Sequence, residues 1–105
     1  MAKQANYNSD DHVSESFEPQ TSFIVQVDNA PSTDMFNVEF QATNLPESGT
    51  WLKAPGSETL SGDSATVANG STGFRYRVRR TGGMGNDRGV EVYWDNVTSL
   101  RSVYN

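Results

Sequence analysis

From position 22 onward, apolar and polar residues alternate with period two along much of the chain. Phe23, Val25 and Val27 alternate with Ser22, Ile24 and Gln26, and the run stops at Asp28-Asn29-Ala30-Pro31. The clearest run follows: Phe36, Val38, Phe40 and Ala42 fall on one face, with Asn37, Glu39 and Gln41 on the other. A strand with one dry and one wet face belongs to an antiparallel sheet. Asn44, Pro46 and Gly49 break it. Thr50-Trp51-Leu52-Lys53 predicts a short strand, stopped by Pro55-Gly56. Thr59-Leu60 and Ala65-Thr66-Val67-Ala68 predict two brief strands around a Ser61-Gly62-Asp63 turn, and Asn69-Gly70 supplies a turn tolerant of positive φ. Gly73 to Arg80 resumes strict alternation, with Phe74, Tyr76 and Val78 inward and Arg75, Arg77 and Arg79 outward. A loop from Thr81 to Gly89 carries four glycines, and Val90 to Val97 is the last firm strand, with Val90, Val92 and Trp94 on one face. Leu100, Val103 and Tyr104 leave room for a short terminal strand. No helix is predicted. Six or seven antiparallel strands with turns at this spacing predict an all-β sandwich.

Pairing the last two firm strands as a hairpin gives a definite register. Arg79 opposite Glu91 puts Arg77 against Tyr93 and Arg75 against Asp95, and on the dry face Val78 meets Val92 and Tyr76 meets Trp94. Charges then complement on one side and aromatics meet on the other. A slip of one residue would turn the arginines into the core.

Positions 1–21 behave differently. Asn6, Asn8, Ser9, Asp10, Asp11, Ser14, Glu15, Ser16 and Glu18 are punctuated only by Tyr7, Val13 and Phe17, and neither a helical nor an alternating period survives. The expected organisation is therefore an extended acidic N-terminal arm over 1–21 and a β-sandwich domain over 22–105. The arm's apolar hooks, Tyr7, Val13 and Phe17, would dock on a neighbouring subunit and order on binding.

Composition supports strands and narrows the chemistry. The 105 residues are 34% hydrophobic, which gives a thin core and fits one domain. Val outnumbers Leu ten to four, favouring strands over helices. No apolar run approaches the ~18 residues of a membrane span, and residues 1–6 have no apolar stretch of the secretory kind. With no cysteine, disulfides, zinc–cysteine sites and thiol catalysis are ruled out, and the redox compartment is undetermined. The formal charge of −5 argues against general nucleic-acid binding, which needs cationic surface. Residues 1–40 hold one Lys and seven acids, residues 41–105 seven basic residues and six acids.

Against that acidic balance the outward row Arg75, Arg77, Arg79 is the sharpest feature. It is either a solvated face balanced by Glu91, Asp95 and Glu39, or a binding stripe for phosphate, acidic glycan or an acidic protein surface. The acidic arm of a neighbouring copy lying on this row would account for both charge asymmetries at once. Other chemistry is thinner. His12 beside Asp10 and Asp11 is the chain's sole histidine, so neither a metal cluster nor a Ser-His-Asp set is built around it. Gly85-Asn86-Asp87-Arg88-Gly89 and Ser61-Gly62-Asp63 lack calcium-loop spacing. Glu39 and Glu91 lie on exposed strand faces rather than in a glycosidase cleft. Thr81-Gly82-Gly83-Met84-Gly85 is followed by no helix to cradle phosphate. The sequons Asn69-Gly70-Ser71 and Asn96-Val97-Thr98 read as accidental without a signal peptide. Trp51 and Tyr93 are candidates for a sugar-stacking platform, whereas Trp94 alternates with Val92 and reads as core. No catalytic residue and no cofactor are expected.

The segment from Phe36 to Gly82 carries a resemblance. An alternating strand, Phe36-Asn37-Val38-Glu39-Phe40-Gln41, leads to Gly49-Thr50-Trp51-Leu52, then a Ser/Thr/Gly-rich passage, then Gly73-Phe74-Arg75-Tyr76-Arg77-Val78. This resembles small β-sandwich virion proteins of tailed bacteriophages, which serve as head decoration (cement) proteins or as tail and neck accessories. The resemblance implies a non-enzymatic virion protein, present in many copies, that binds and stabilises a capsid or tail surface without nucleic acid or membrane. A carbohydrate-binding module for host-surface glycans, using Trp51, Tyr93 and the 81–89 loop, is the alternative.

Overall fold

The computed structural model describes residues 3–83 and 89–97. Among the described residues, nine strands run in the order β1 Lys3–Asn8, β2 Val13–Ser14, β3 Phe23–Asp28, β4 Met35–Ala42, β5 Leu52–Lys53, β6 Leu60–Ser61, β7 Ser64–Ala68, β8 Phe74–Gly82 and β9 Glu91–Asn96. All pairings are antiparallel, and the strands form one curled sheet ordered β5-β4-β8-β2-β1-β9-β3-β7, with β6 against β4. Every period-two run predicted between 22 and 97 is a strand, within a residue or two at its ends. Leu100, Val103 and Tyr104, and the loop tip at 84–88, lie outside the described residues.

Two wings meet over one core. Phe23, Val25 and Val27 of β3 and Val92 of β9 are fully buried from one wing, Phe36, Val38, Tyr76 and Val78 of β4 and β8 from the other. Rings lock across the gap: Phe23 meets Tyr76 edge-on at 4.8 Å, and Tyr7 meets Phe36 edge-on at 6.0 Å. Such pairs add about 0.5–1.5 kcal/mol beyond the area they bury.

The seam between the wings corrects two expectations. The first concerns the N-terminal residues, which are no arm. Lys3 to Asn6 pair with β9, and Tyr7 and Asn8 turn to pair with β2. Residues 12–17 then run along β8: the Arg80 amide donates to the His12 carbonyl, the Val78 amide to the Ser14 hydroxyl, and Phe17 and Tyr76 exchange both backbone bonds at 2.8 Å. The segment lacks a period because it changes partners midway, so no single face stays dry. The second correction concerns the last two strands, which form no hairpin. β8 pairs with β4 and β2, while β9 pairs with β1 and β3. Arg79 therefore stands opposite Asn37, Arg77 opposite Glu39 and Arg75 opposite Gln41. Neighbours in sequence usually neighbour in space, but here the N-terminal strands take the positions that a hairpin would have used. The inward and outward sense of each residue is unchanged, because the pleat alone sets it.

Candidate functional site

The arginine row lies on the outer face of β8, and β4 supplies its counterpart. Glu39, half-buried, accepts from Nε of Arg77 at 3.0 Å and Nε of Arg79 at 3.1 Å, both on Oε1. Across β4 from Glu39 stands Lys53 of β5, whose Nζ lies 3.5 Å from the Thr59 hydroxyl, itself bonded to Asn37 at 2.7 Å. Two guanidiniums thus share one carboxylate oxygen, and Lys53 stands one strand over on the same face. The guanidiniums are held at Nε, which leaves the η nitrogens of Arg77 and Arg79 for an outside acceptor. The Arg77 guanidinium also lies 4.0 Å over the Trp51 ring, whose indole N–H donates to the Glu47 carbonyl. That cation–π contact fixes the side chain's direction.

Arg75 has a different job. Its Nη2 donates to the carbonyls of Thr43 and Leu45, each at 2.7 Å, and its Nη1 pairs with Glu47 at 2.9 Å. It staples the 43–50 loop over Gln41, which is 3% exposed and donates to the Pro46 carbonyl. Gln41 is buried on the nominally wet face for this reason. The Arg75 and Ser16 hydrogen bonds hold the Glu47 carboxyl below its ordinary range. A lowered carboxylate contributes stability that is present above its unfolded value and lost as pH falls through the folded one. Because Glu47 is 62% exposed, its share is small. Glu47→Gln is expected to change global stability by less than about 1 kcal/mol and to speed amide exchange in 43–50. Unchanged exchange there would show that the carbonyl bonds alone hold the loop.

The arm hooks are filled from within the chain. Phe17 is 7% exposed and stacks on Trp94 at 4.8 Å, Tyr7 is half-buried against Phe36, and Val13 pairs with Arg79. Of the three expected hooks for a neighbour, Phe17 and Tyr7 are used in the protein's own core, while Val13 stays half-buried in its strand pairing with β8. Nor do the proposed sugar-stacking aromatics share a platform. Trp51 lies with Arg77 on one wing, and Tyr93 stands on the other, between Gln4 and Gln26. Trp94 is core, as its alternation predicts, at 8% exposed. His12, in the β1–β2 turn, has Nδ1 3.3 Å from Nη1 of Arg80.

Two features escaped the sequence reading. Asp34 is fully buried, its carboxylate 3.4 Å from Nε of Arg80. A lone Asp before a strand gives no pattern to find it by. The second is a cross-strand acid pair: Asp28 of β3 stands directly opposite Glu91 of β9 on the outer face of the other wing. Their donors are neutral: Gln26 to Asp28 at 3.0 Å, and Asn29 and the Tyr93 hydroxyl to Glu91. Hydrogen bonding to Glu91, then burial and the charges of Glu91 and Asp28, raise the Tyr93 hydroxyl above 10.0, and burial raises Tyr76 likewise. A raised group favours folding below its unfolded value and loses that contribution as pH rises through the folded one. In an ultraviolet titration Tyr93 is expected to ionise above the ordinary tyrosine range, and Glu91→Gln to bring it down. Ionisation of Tyr93 at or below the ordinary value would contradict the bond to Glu91.

An open groove of 310 Å³ on the same wing is lined by Ile24, Gly56, Glu58, Ala65, Thr66 and Val67. Among the described residues, no helix is long and apolar enough to cross a membrane, and no three His, Asp or Glu side chains gather in metal-binding geometry. Comparison with protein-family models, curated proteins and solved structures finds no match.

Proposed function

We propose that this all-β chain is a non-enzymatic structural protein of a virion, which binds and stabilises a capsid or tail surface through the outer face of β4, β5 and β8. The observation that carries this reading is the surplus of cations on a sheet face, where Arg77 and Arg79 share Glu39 and Lys53 stands opposite it on β5. An open face suits an acidic protein surface better than a small molecule, whose sites are concave. Guanidiniums held at fixed angles recognise carboxylates by geometry as well as charge. The stretch 36–82 that resembles phage virion proteins spans β4 to β8, and the two wings over one core suit a sandwich of that kind. Docking is assigned to this face because Tyr7 and Phe17 pack inside the chain itself.

The test uses particles purified from cells that produce the protein. Quantitative mass spectrometry is expected to find many copies per particle. Particles stripped of the chain are expected to rebind the wild type, and to bind Lys53→Glu/Arg79→Glu at least ~10-fold more weakly. Absence from the particles, or equal rebinding by both chains, overturns the reading.

A further inference from the structure

Both outer faces of the molecule carry charge that is left uncompensated among the described residues, and the signs are opposite. On the outer face of β3 and β9, Asp28 and Glu91 stand directly opposite one another. Like charges in that position oppose sheet formation. A cation beside them would remove the penalty, yet among the described residues neither carboxylate has an ion pair, and each accepts from neutral side chains. On the outer face of β4, β5 and β8 the imbalance is reversed: Arg77 and Arg79 share the carboxylate of Glu39, Lys53 stands opposite it on β5, and the other carboxylate at that face, Glu47, pairs with Arg75. The inner faces of the two wings meet in the core, so these outer faces point away from each other. An acid pair and a cation cluster on opposite sides of one chain fit two different chains, each using a different side.

We propose that the occupant of the β4–β8 face is a second copy of this chain, docked through its β3–β9 face so that Asp28 and Glu91 reach Lys53, Arg77 and Arg79. The inference rests on the reading of the β4–β8 face as a docking surface and names its partner. The contact is heterologous, one face against a different one, so each docked copy still presents its unused face to a further copy. It propagates into a ring if the rotation closes and into an open row if it does not. Ile24 and Val67, cross-strand neighbours further along the same outer face beyond the Gln26–Tyr93 pair, add an apolar patch, Val67 being 47% exposed. The principal extents of 36 × 34 × 20 Å give faces broad enough for the ~800 Å² per partner of a stable interface. The complement that the sequence assigned to an acidic arm stands instead on β3 and β9.

The test exploits the two-sidedness. Lys53→Ala/Arg79→Ala removes cations from one face, and Asp28→Asn/Glu91→Gln removes charge from the other; all four side chains are at least partly exposed. Sedimentation velocity of the wild type at low salt is expected to show association beyond a dimer, weakened at least ~10-fold by salt that screens surface charge. Each variant alone is expected to be monomeric. Their equimolar mixture is expected to form a 1:1 dimer and stop, because each supplies the face the other lacks. A monomeric wild type at low salt, association untouched by either variant, or a mixture that stays monomeric overturns the proposal. Should the wild type be monomeric while Lys53→Glu/Arg79→Glu still loses binding to stripped particles, the docking face stands and only its proposed partner falls.

Discussion

A chain beginning at residue 18 is expected to lose cooperative folding. β1 joins the two wings, with Lys3 to Asn6 on β9 and Tyr7 and Asn8 on β2, and residues 12–17 cover the free edge of β8. Ala5, Ser14 and Phe17 are 3%, 4% and 7% exposed. Phe17 ties three strands together: it stacks on the Trp94 ring at 4.8 Å, lies edge-on to Phe23 at 5.7 Å, and exchanges both backbone bonds with Tyr76. Loss of one such buried ring costs about 3–5 kcal/mol, against a total stability of about 5–15 kcal/mol for a domain. Truncation also bares the edges of β8 and β9, which invites aggregation. Circular dichroism with thermal melting is the measurement. No cooperative transition is expected from the truncated chain, and partial recovery on adding the 1–17 peptide. A truncated chain that melts cooperatively within a few degrees of the full one would show that the wings hold without their seam.

The buried Asp34–Arg80 pair carries the second large effect. Asp34 is 0% exposed and the Arg80 side chain 11%. Removing one partner leaves the other charged in a poorly solvated place, and Asp34→Ala is expected to cost about 3–5 kcal/mol. Replacing both with apolar residues of similar volume, Asp34→Leu/Arg80→Met, is expected to recover much of that loss. The backbone bonds of Asp34, from its amide to the Pro31 carbonyl and from the Gly62 amide to its own carbonyl, survive either substitution. Space is tight as well: a Cβ at Gly83, where φ is +102°, would fall 2.3 Å from Oδ1 of Asp34. Urea unfolding of the three chains decides the matter. A loss below about 1 kcal/mol in Asp34→Ala, or a double variant weaker than the single, would show that the pair is not what holds this corner.

The outer face of β8 shows how far pattern reading reaches. Alternation placed Arg75, Arg77 and Arg79 on one side and Tyr76 and Val78 on the other, as they stand. It did not reveal their partners. Glu39 rather than Glu91 pairs with Arg77 and Arg79, and Arg75 serves a loop. Those partners come from β4 and from 43–50, about thirty to forty positions away. Register across such a distance depends on which edges remain free once other strands have paired. In the same way, Asp28 and Glu91 each look like an ordinary wet-face acid, and only strand pairing makes them a like-charged couple.

For residues 22–97 the period-two alternation, the β-branched bias and the Gly, Pro and Asn breakers determined the strands, their dry faces and the antiparallel class, because pleat geometry and turn sterics are local. Tertiary structure decided the rest. The N-terminal residues became the seam, β8 and β9 were separated, and charges of opposite sign collected on opposite faces. None of these is local: each depends on which strand edge and which ring another part of the chain has already taken.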